Sequence, residues 1–101
     1  MAFGIKRAEM ERWKQAVARG EMAFLTHYWA DPRFPGMRTV TKAGCADLDK
    51  LSAWCVAHGL NPRYIHIRSD YPHFDLLGDK QREVLLEANQ IEQLERFGLL
   101  T

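Results

Sequence analysis

Two imidazoles, two carboxylates and a guanidinium fall within the twelve residues from Tyr64 to Asp75, in the order His66, Arg68, Asp70, His73 and Asp75. Imidazole and carboxylate bind zinc and related ions, and three protein ligands around an open position make a catalytic geometry. His73 and Asp75 with a third ligand from His66 or His27 would supply such a set, and a water held there would be activated for hydrolysis. On this reading His73, Asp75 and His66 are the catalytic residues of a metal-dependent hydrolase. The spacing is not that of a recognised metal motif, for there is no Cys pair and no His-Glu-x-x-His. The cofactor therefore stays undefined, and whether any reaction is catalysed stays open. In a plainer account His73 donates to a backbone carbonyl and Asp75 caps the next helix through Gly78 or a nearby amide.

A second chemistry is anion recognition. Arg33, Arg38, Lys42 and Arg68 could approach one rim, and guanidinium groups pair with phosphate or carboxylate in bidentate fashion. Solvated side chains are the bland alternative for each of them. With His27, Asp31 and Tyr71 close by, the leading expectation is a domain that binds a small anionic or polar ligand. A third reading is a protein-interaction module without catalysis, anchored by exposed Trp29, Phe34 and Tyr71. Nucleophilic catalysis finds little support: there is no Gly-x-Ser-x-Gly and no Gly-rich phosphate loop. Cys55 falls on an apolar stripe, and Cys45, ahead of a helix N-terminus, ranks below the histidines. His58 near a helix end is explained by the helix dipole.

The elements that must position these groups follow from periodicity. Met10, Trp13 and Val17 make one apolar stripe on a helix over 6–19, stopped by Gly20. Met22 to Trp29 reads as a buried strand ended by Asp31-Pro32. The connection from Ala30 to Gly44 holds two prolines and two glycines, with Arg38 to Lys42 extended enough for a short edge strand. Asp47 caps a helix carrying Leu48, Leu51, Trp54 and Cys55, and Gly59-Leu60 has the form of a Schellman stop. Beyond Asn61-Pro62, Tyr64, His66 and Arg68 alternate with Ile65 and Ile67, predicting a half-buried strand over 63–68 with both isoleucines inward. A helix from Gly78 or Asp79 carries Val84, Leu85 and Ala88, and a last short helix runs from Ile91 to Phe97 before Gly98.

Strand, helix and strand at 22–29, 47–58 and 63–68 read as a β-α-β unit with parallel neighbours. The expected fold is α/β: a small two- to three-stranded sheet with that unit, flanked by about four helices, in a single domain over 1–101. Ligands of open α/β sheets gather at the C-terminal strand edge. Segments 30–44 and 69–78 should meet there, with His27, His66 and Arg68 on the strands nearby.

Composition bounds the partners. An apolar fraction of 47% and a charged fraction of 27% are those of a globular chain. Residues 1–44 hold eight Lys/Arg against four Asp/Glu, and 45–101 hold six against nine. That polarity is too mild for a nucleic-acid footprint, which argues against such a partner. No apolar run approaches the ~18 residues of a membrane span, and the opening Met-Ala-Phe-Gly-Ile-Lys-Arg reaches charge too early for an export signal. Two cysteines read as reduced thiols, which points to the cytoplasm. Assembly into a homo-oligomer is left open.

The segments Asp31-Pro-Arg-Phe-Pro-Gly, Asp47-Leu-Asp-Lys-Leu through His58-Gly-Leu-Asn-Pro-Arg-Tyr, and His73-Phe-Asp75-Leu together resemble a family of small bacterial proteins of unknown function. That family has an Asp-Pro-Arg-Trp-Pro opening, a helix ending in Gly-Leu, and a His-Tyr-Asp-Leu segment before an Arg-bearing helix. Phe74 stands here in place of the tyrosine, and Arg82 matches the arginine. The resemblance covers about residues 27 to 90. It implies no reaction, only that Asp31, Arg33, His73, Asp75 and Arg82 belong to one shared feature, and it brings Arg82 into the candidate ligand-binding set.

Overall fold

The computed structural model describes residues 4–100, so Met1-Ala2-Phe3, read above for targeting, and Thr101 lie outside the described residues. The elements in chain order are α1 (Arg7–Ala18), β1 (Ala23–Tyr28), β2 (Thr39–Gly44), α2 (Leu48–Ala57), a 3-10 turn (Pro62–Tyr64), β3 (His73–Leu76), α3 (Asp79–Glu87) and α4 (Ile91–Arg96). The class is α/β, with a three-stranded sheet in the order β1-β2-β3. Among the described residues no helix is long and apolar enough to cross a membrane.

The expected parallel pair is absent, because both strand pairings are antiparallel. The stretch 39–44, read as a short edge strand, is the central one. A ten-residue connection without a helix can only return the chain beside itself as a hairpin, and Trp29 N–H donating to Arg38 C=O at 2.8 Å carries that pairing past β1. A strand–helix–strand succession does exist, as β2–α2–β3, with its strands antiparallel. Residues 63–68 form no strand: Pro62 opens the 3-10 turn, Asn61 caps it, and the segment touches the sheet through one bridge, His66 opposite His73. Ile65 is buried as expected, whereas Ile67 is exposed.

Helix ends follow local chemistry. The Asp47 carboxylate accepts from Lys50 N–H at 3.1 Å. At the other end Leu60 N–H bonds Cys55 C=O at 2.8 Å across Gly59, whose φ of 71° closes a Schellman turn. His58 ends the same helix. Its Nδ1 bonds Trp54 C=O at 2.7 Å, and its Nε2 bonds Glu87 at 2.8 Å. Burial pulls the His58 pKa down, but those two hydrogen bonds and the charges of Glu87 and Glu83 outweigh it, so the net shift is upward. A raised folded-state pKa adds stability that is whole below the unfolded value of about 6.5 and is lost as pH rises through the folded value. Glu87→Gln should therefore lower urea stability at pH 5.5 and leave it nearly unchanged at pH 8.5. Equal losses at both values would show that protonated His58 takes no part.

Cross-strand partners share a face, so register sorts the sheet. Phe24, Ala43 and Phe74 form one row and Thr26, Thr41 and Leu76 the next. This face carries the core under α2, α3 and α4, with Ala43, Leu76 and Val84 at one centre and Cys45, Leu51, Cys55 and Ile65 at another. Within it lies a closed polar network. Gln81 Oε1 accepts from the Thr39 and Thr41 hydroxyls, each at 3.1 Å, and Thr26 Oγ1 lies 2.7 Å from Thr41 Oγ1. Thr41 spends its only proton on Gln81, so Thr26 is the donor in the last pair. From α4, Gln93 reaches the outer edge of β1, accepting from Thr26 N–H at 2.8 Å and donating to Phe24 C=O at 2.9 Å.

The opposite face receives α1. Trp13 and Val17 pack on Leu25, and Gly44 makes the close approach possible: a Cβ there would meet Trp13 at 2.6 Å and Val17 at 2.7 Å. This helix lies over the Ala23, Leu25 and Gly44 end of the face. His27, Val40, Lys42 and Asp75 continue the same face beyond that end, and there a cleft opens.

Candidate functional site

A cleft of about 530 Å³ has His27, Val40, Lys42 and Asp75 as its floor, with Trp29, Arg33, Phe34, Tyr64, His66 and Leu77 around them. The gathering was expected from parallel strand ends. It arises instead from register, which sets Lys42 opposite Asp75 and His27 opposite Val40 on one open face.

His27 is only 5% exposed. Its Nδ1 donates to Tyr28 C=O at 2.9 Å, which fixes the tautomer with a lone pair on Nε2, and that Nε2 is buried with no hydrogen-bond partner. His73 is held the same way, its Nδ1 at 2.8 Å from Tyr71 C=O, with its ring edge-on to Trp13 at 6.1 Å between centroids. Burial holds the pKa of both imidazoles below the usual histidine value, and the charge of Lys42 adds to this; the carbonyl bonds and Asp75 oppose it without prevailing. Both rings are therefore neutral at pH 7.

Asp75 is the hub. Its Oδ2 lies 3.1 Å from His66 Nε2, and its Oδ1 lies 3.6 Å from both Lys42 Nζ and His73 Nε2. None of these contacts satisfies Oδ1 as a hydrogen bond, and that oxygen is buried. Lys42 Nζ also sits 3.3 Å from His73 Nε2. The rings of His66 and His73 stack at 4.8 Å and 18°, carried on the bridge in which His66 N–H donates to His73 C=O at 2.8 Å. Asp75 does not cap α3, whose first turn follows Gly78 without a side-chain cap.

The structure thus brings His27, Arg33, His66 and Asp75 to one cleft and places His73 against Asp75. Asp31 acts on Arg33: it accepts the Arg33 N–H at 2.9 Å and pairs with the guanidinium at 2.6 Å. Those side-chain hydrogen bonds hold the Asp31 carboxyl below its usual range. Arg38 and Arg82 lie elsewhere, in a groove with Tyr28, Gly78, Glu95 and Phe97, because Arg38 precedes β2 and Arg82 rides on α3 under the other face. Arg68 does not line the cleft but borders a shallow surface next to it, shared with Ile65, Ile67 and the two histidines His66 and His73. Tyr71 packs against Trp13 at 6.3 Å and carries Lys14 over its ring, and it does not line the cleft. The five residues tied together by resemblance therefore split: Asp31 pairs with Arg33 and His73 with Asp75, while Arg82 stands apart. Cys45 is fully buried and donates to Gly20 C=O, so it is no reactive loop thiol, and burial raises the Cys55 pKa. Lys42 is the group that the sequence undervalued. Its place opposite Asp75 would have followed from alternation over 39–44 had β3 been recognised.

No protein-family model matches the chain, and no solved structure matches it. Over 99 residues the chain is 61% identical to the uncharacterised protein YneQ of Bacillus subtilis strain 168, an alignment that spans 98% of this chain and 100% of that one. Likeness at that level along the whole of the relative identifies the chain as a member of the bacterial protein family to which YneQ belongs.

Proposed function

We propose that the protein binds a small, planar, polar ligand in the cleft over the open half of the sheet. The observation that carries this is His27, whose neutral Nε2 is buried without a partner in the cleft floor. A buried acceptor left unsatisfied costs about 1–3 kcal/mol, and a ligand O–H or N–H would remove that cost. Lys42 offers the complementary donor, and Trp29, Phe34 and Tyr64 supply flat apolar walls. Charge decides between the polar and the anionic ligand expected above. Lys42 lies beside Asp75 and Arg33 is paired with Asp31, so the cleft has no surplus positive charge and favours a neutral heterocycle with an amide or imide edge.

Titration with uracil, nicotinamide and benzoate, followed by amide NMR shifts, tests this reading. Uracil should move resonances of residues 27–29, 40–42 and 73–77, and His27→Phe should weaken it about tenfold, the worth of one hydrogen bond near 1.4 kcal/mol. Benzoate, which has no donor for His27, should be indifferent to that substitution. Failure of all three probes at 10 mM, or shifts in the groove of Arg38 and Arg82 instead, would refute it.

A further inference from the structure

We propose that His66, His73 and Asp75 form a site for a divalent transition-metal ion of the zinc class, in which the ammonium of Lys42 is the resident substitute. One ligand atom from each of the three lies within 4.8 Å of the others. Ligands about 2.1 Å from a tetrahedral ion stand about 3.4 Å apart; here His66 Nε2 lies 3.1 Å from Asp75 Oδ2 and His73 Nε2 lies 3.6 Å from Asp75 Oδ1, so each imidazole faces its own oxygen of the carboxylate. Two independent features aim these groups at a cation. The Tyr71 carbonyl holds His73 as the tautomer with its lone pair on Nε2, which is how outer contacts orient a ligating histidine. Asp75 Oδ1 is a buried anionic oxygen with no hydrogen-bond donor, a deficit that a metal–oxygen bond would satisfy.

Lys42 explains how the cluster persists without an ion. Its Nζ lies 3.3 Å from His73 Nε2 and 3.6 Å from Asp75 Oδ1, so it occupies the region of favourable potential. Metal and ammonium therefore compete. The stacked rings must also open, and His66, whose side chain is 55% exposed, is free to turn. Two imidazoles and one carboxylate select zinc, cobalt or nickel over calcium or magnesium, which prefer all-oxygen sets. With three protein ligands the ion keeps an open position, and His66 and Asp75 place it at the cleft wall. Displaced from Asp75, Lys42 would carry an unshared charge into the cleft, so metal loading would turn a neutral pocket into an anion-accepting one. That last consequence rests on the ligand reading above; the metal site does not.

Titration of purified protein with Co²⁺ alone, read by visible absorption, and with Zn²⁺ against a chromophoric chelator, separates the two. One equivalent should bind. Lys42→Met should tighten binding about tenfold by removing the competitor, and His66→Ala, at an exposed position, should weaken it thirtyfold or more. The proposal is overturned if neither wild type nor Lys42→Met binds one equivalent at 100 µM ion, or if His66→Ala and His73→Ala leave the affinity unchanged.

Discussion

Trp13→Ala should lower the unfolding free energy by about 3–5 kcal/mol, the usual cost of removing a buried indole. The side chain lies between α1 and the sheet with Val17 and Leu25, and its Nε1–H donates to Ala23 C=O at 3.1 Å. Its loss leaves a cavity and removes one donor from the Ala23 carbonyl. The glycine at position 44 admits the ring so closely that no neighbouring side chain is there to fill the gap. The effect should reach the Asp75 cluster as well, since Trp13 meets His73 edge to face and packs on Tyr71 at a tilt of 51°. Equilibrium urea denaturation measures the first consequence. The second should appear as exchange broadening of the His73 ring in long-range proton–nitrogen spectra. A loss under 1 kcal/mol would mean that α1 is not fixed to the sheet by this residue.

The second large effect belongs to Gln81→Leu, for which we expect a loss of about 2–4 kcal/mol. Leucine matches the volume of glutamine and suits the surrounding core, so a purely hydrophobic account predicts a gain. The network predicts the reverse, because one oxygen of Gln81 accepts from both Thr39 and Thr41. Without it two buried hydroxyls lose their acceptor, and Thr26 loses the ordered partner that it donates to. The quadruple variant that adds Thr26→Val, Thr39→Val and Thr41→Val, and so removes every hydroxyl of the network, should recover most of the loss. Failure to recover would place the defect in packing instead of hydrogen bonding.

Much of this fold was legible where local chemistry decides local structure. Asp47, Gly59 and the Met10, Trp13, Val17 stripe marked their helices, and the run before Asp31-Pro32 marked β1. Strand pairing was not legible, because it is settled by contacts distant in sequence. Alternation of Ile65 and Ile67 with polar neighbours is a strand pattern, yet Asn61-Pro62 gives that segment a capped 3-10 turn and only Ile65 finds the core. The true third strand, His73 to Leu76, is four residues long, too short for a period of two to stand out, and it begins straight after a proline. The candidate cleft residues converged even though the parallel arrangement did not, since register on one face brings His27, Lys42 and Asp75 together whichever way the strands run. Arg38 and Arg82 were misjudged for the same reason: which side of a sheet a flanking residue serves is unknowable until the sheet is assembled.

Gln93 bears on the order in which the molecule is built. Its carboxamide stands in for a peptide unit of a missing fourth strand, meeting Thr26 and Phe24 from 67 and 69 positions further along. During synthesis the first hairpin is complete about fifty residues before that glutamine leaves the ribosome. In the interval the margin of the hairpin exposes an amide and a carbonyl to any passing extended chain. Nascent chains stalled short of α4 should thus be the aggregation-prone species, and arrival of the last helix is the event that retires the hazard.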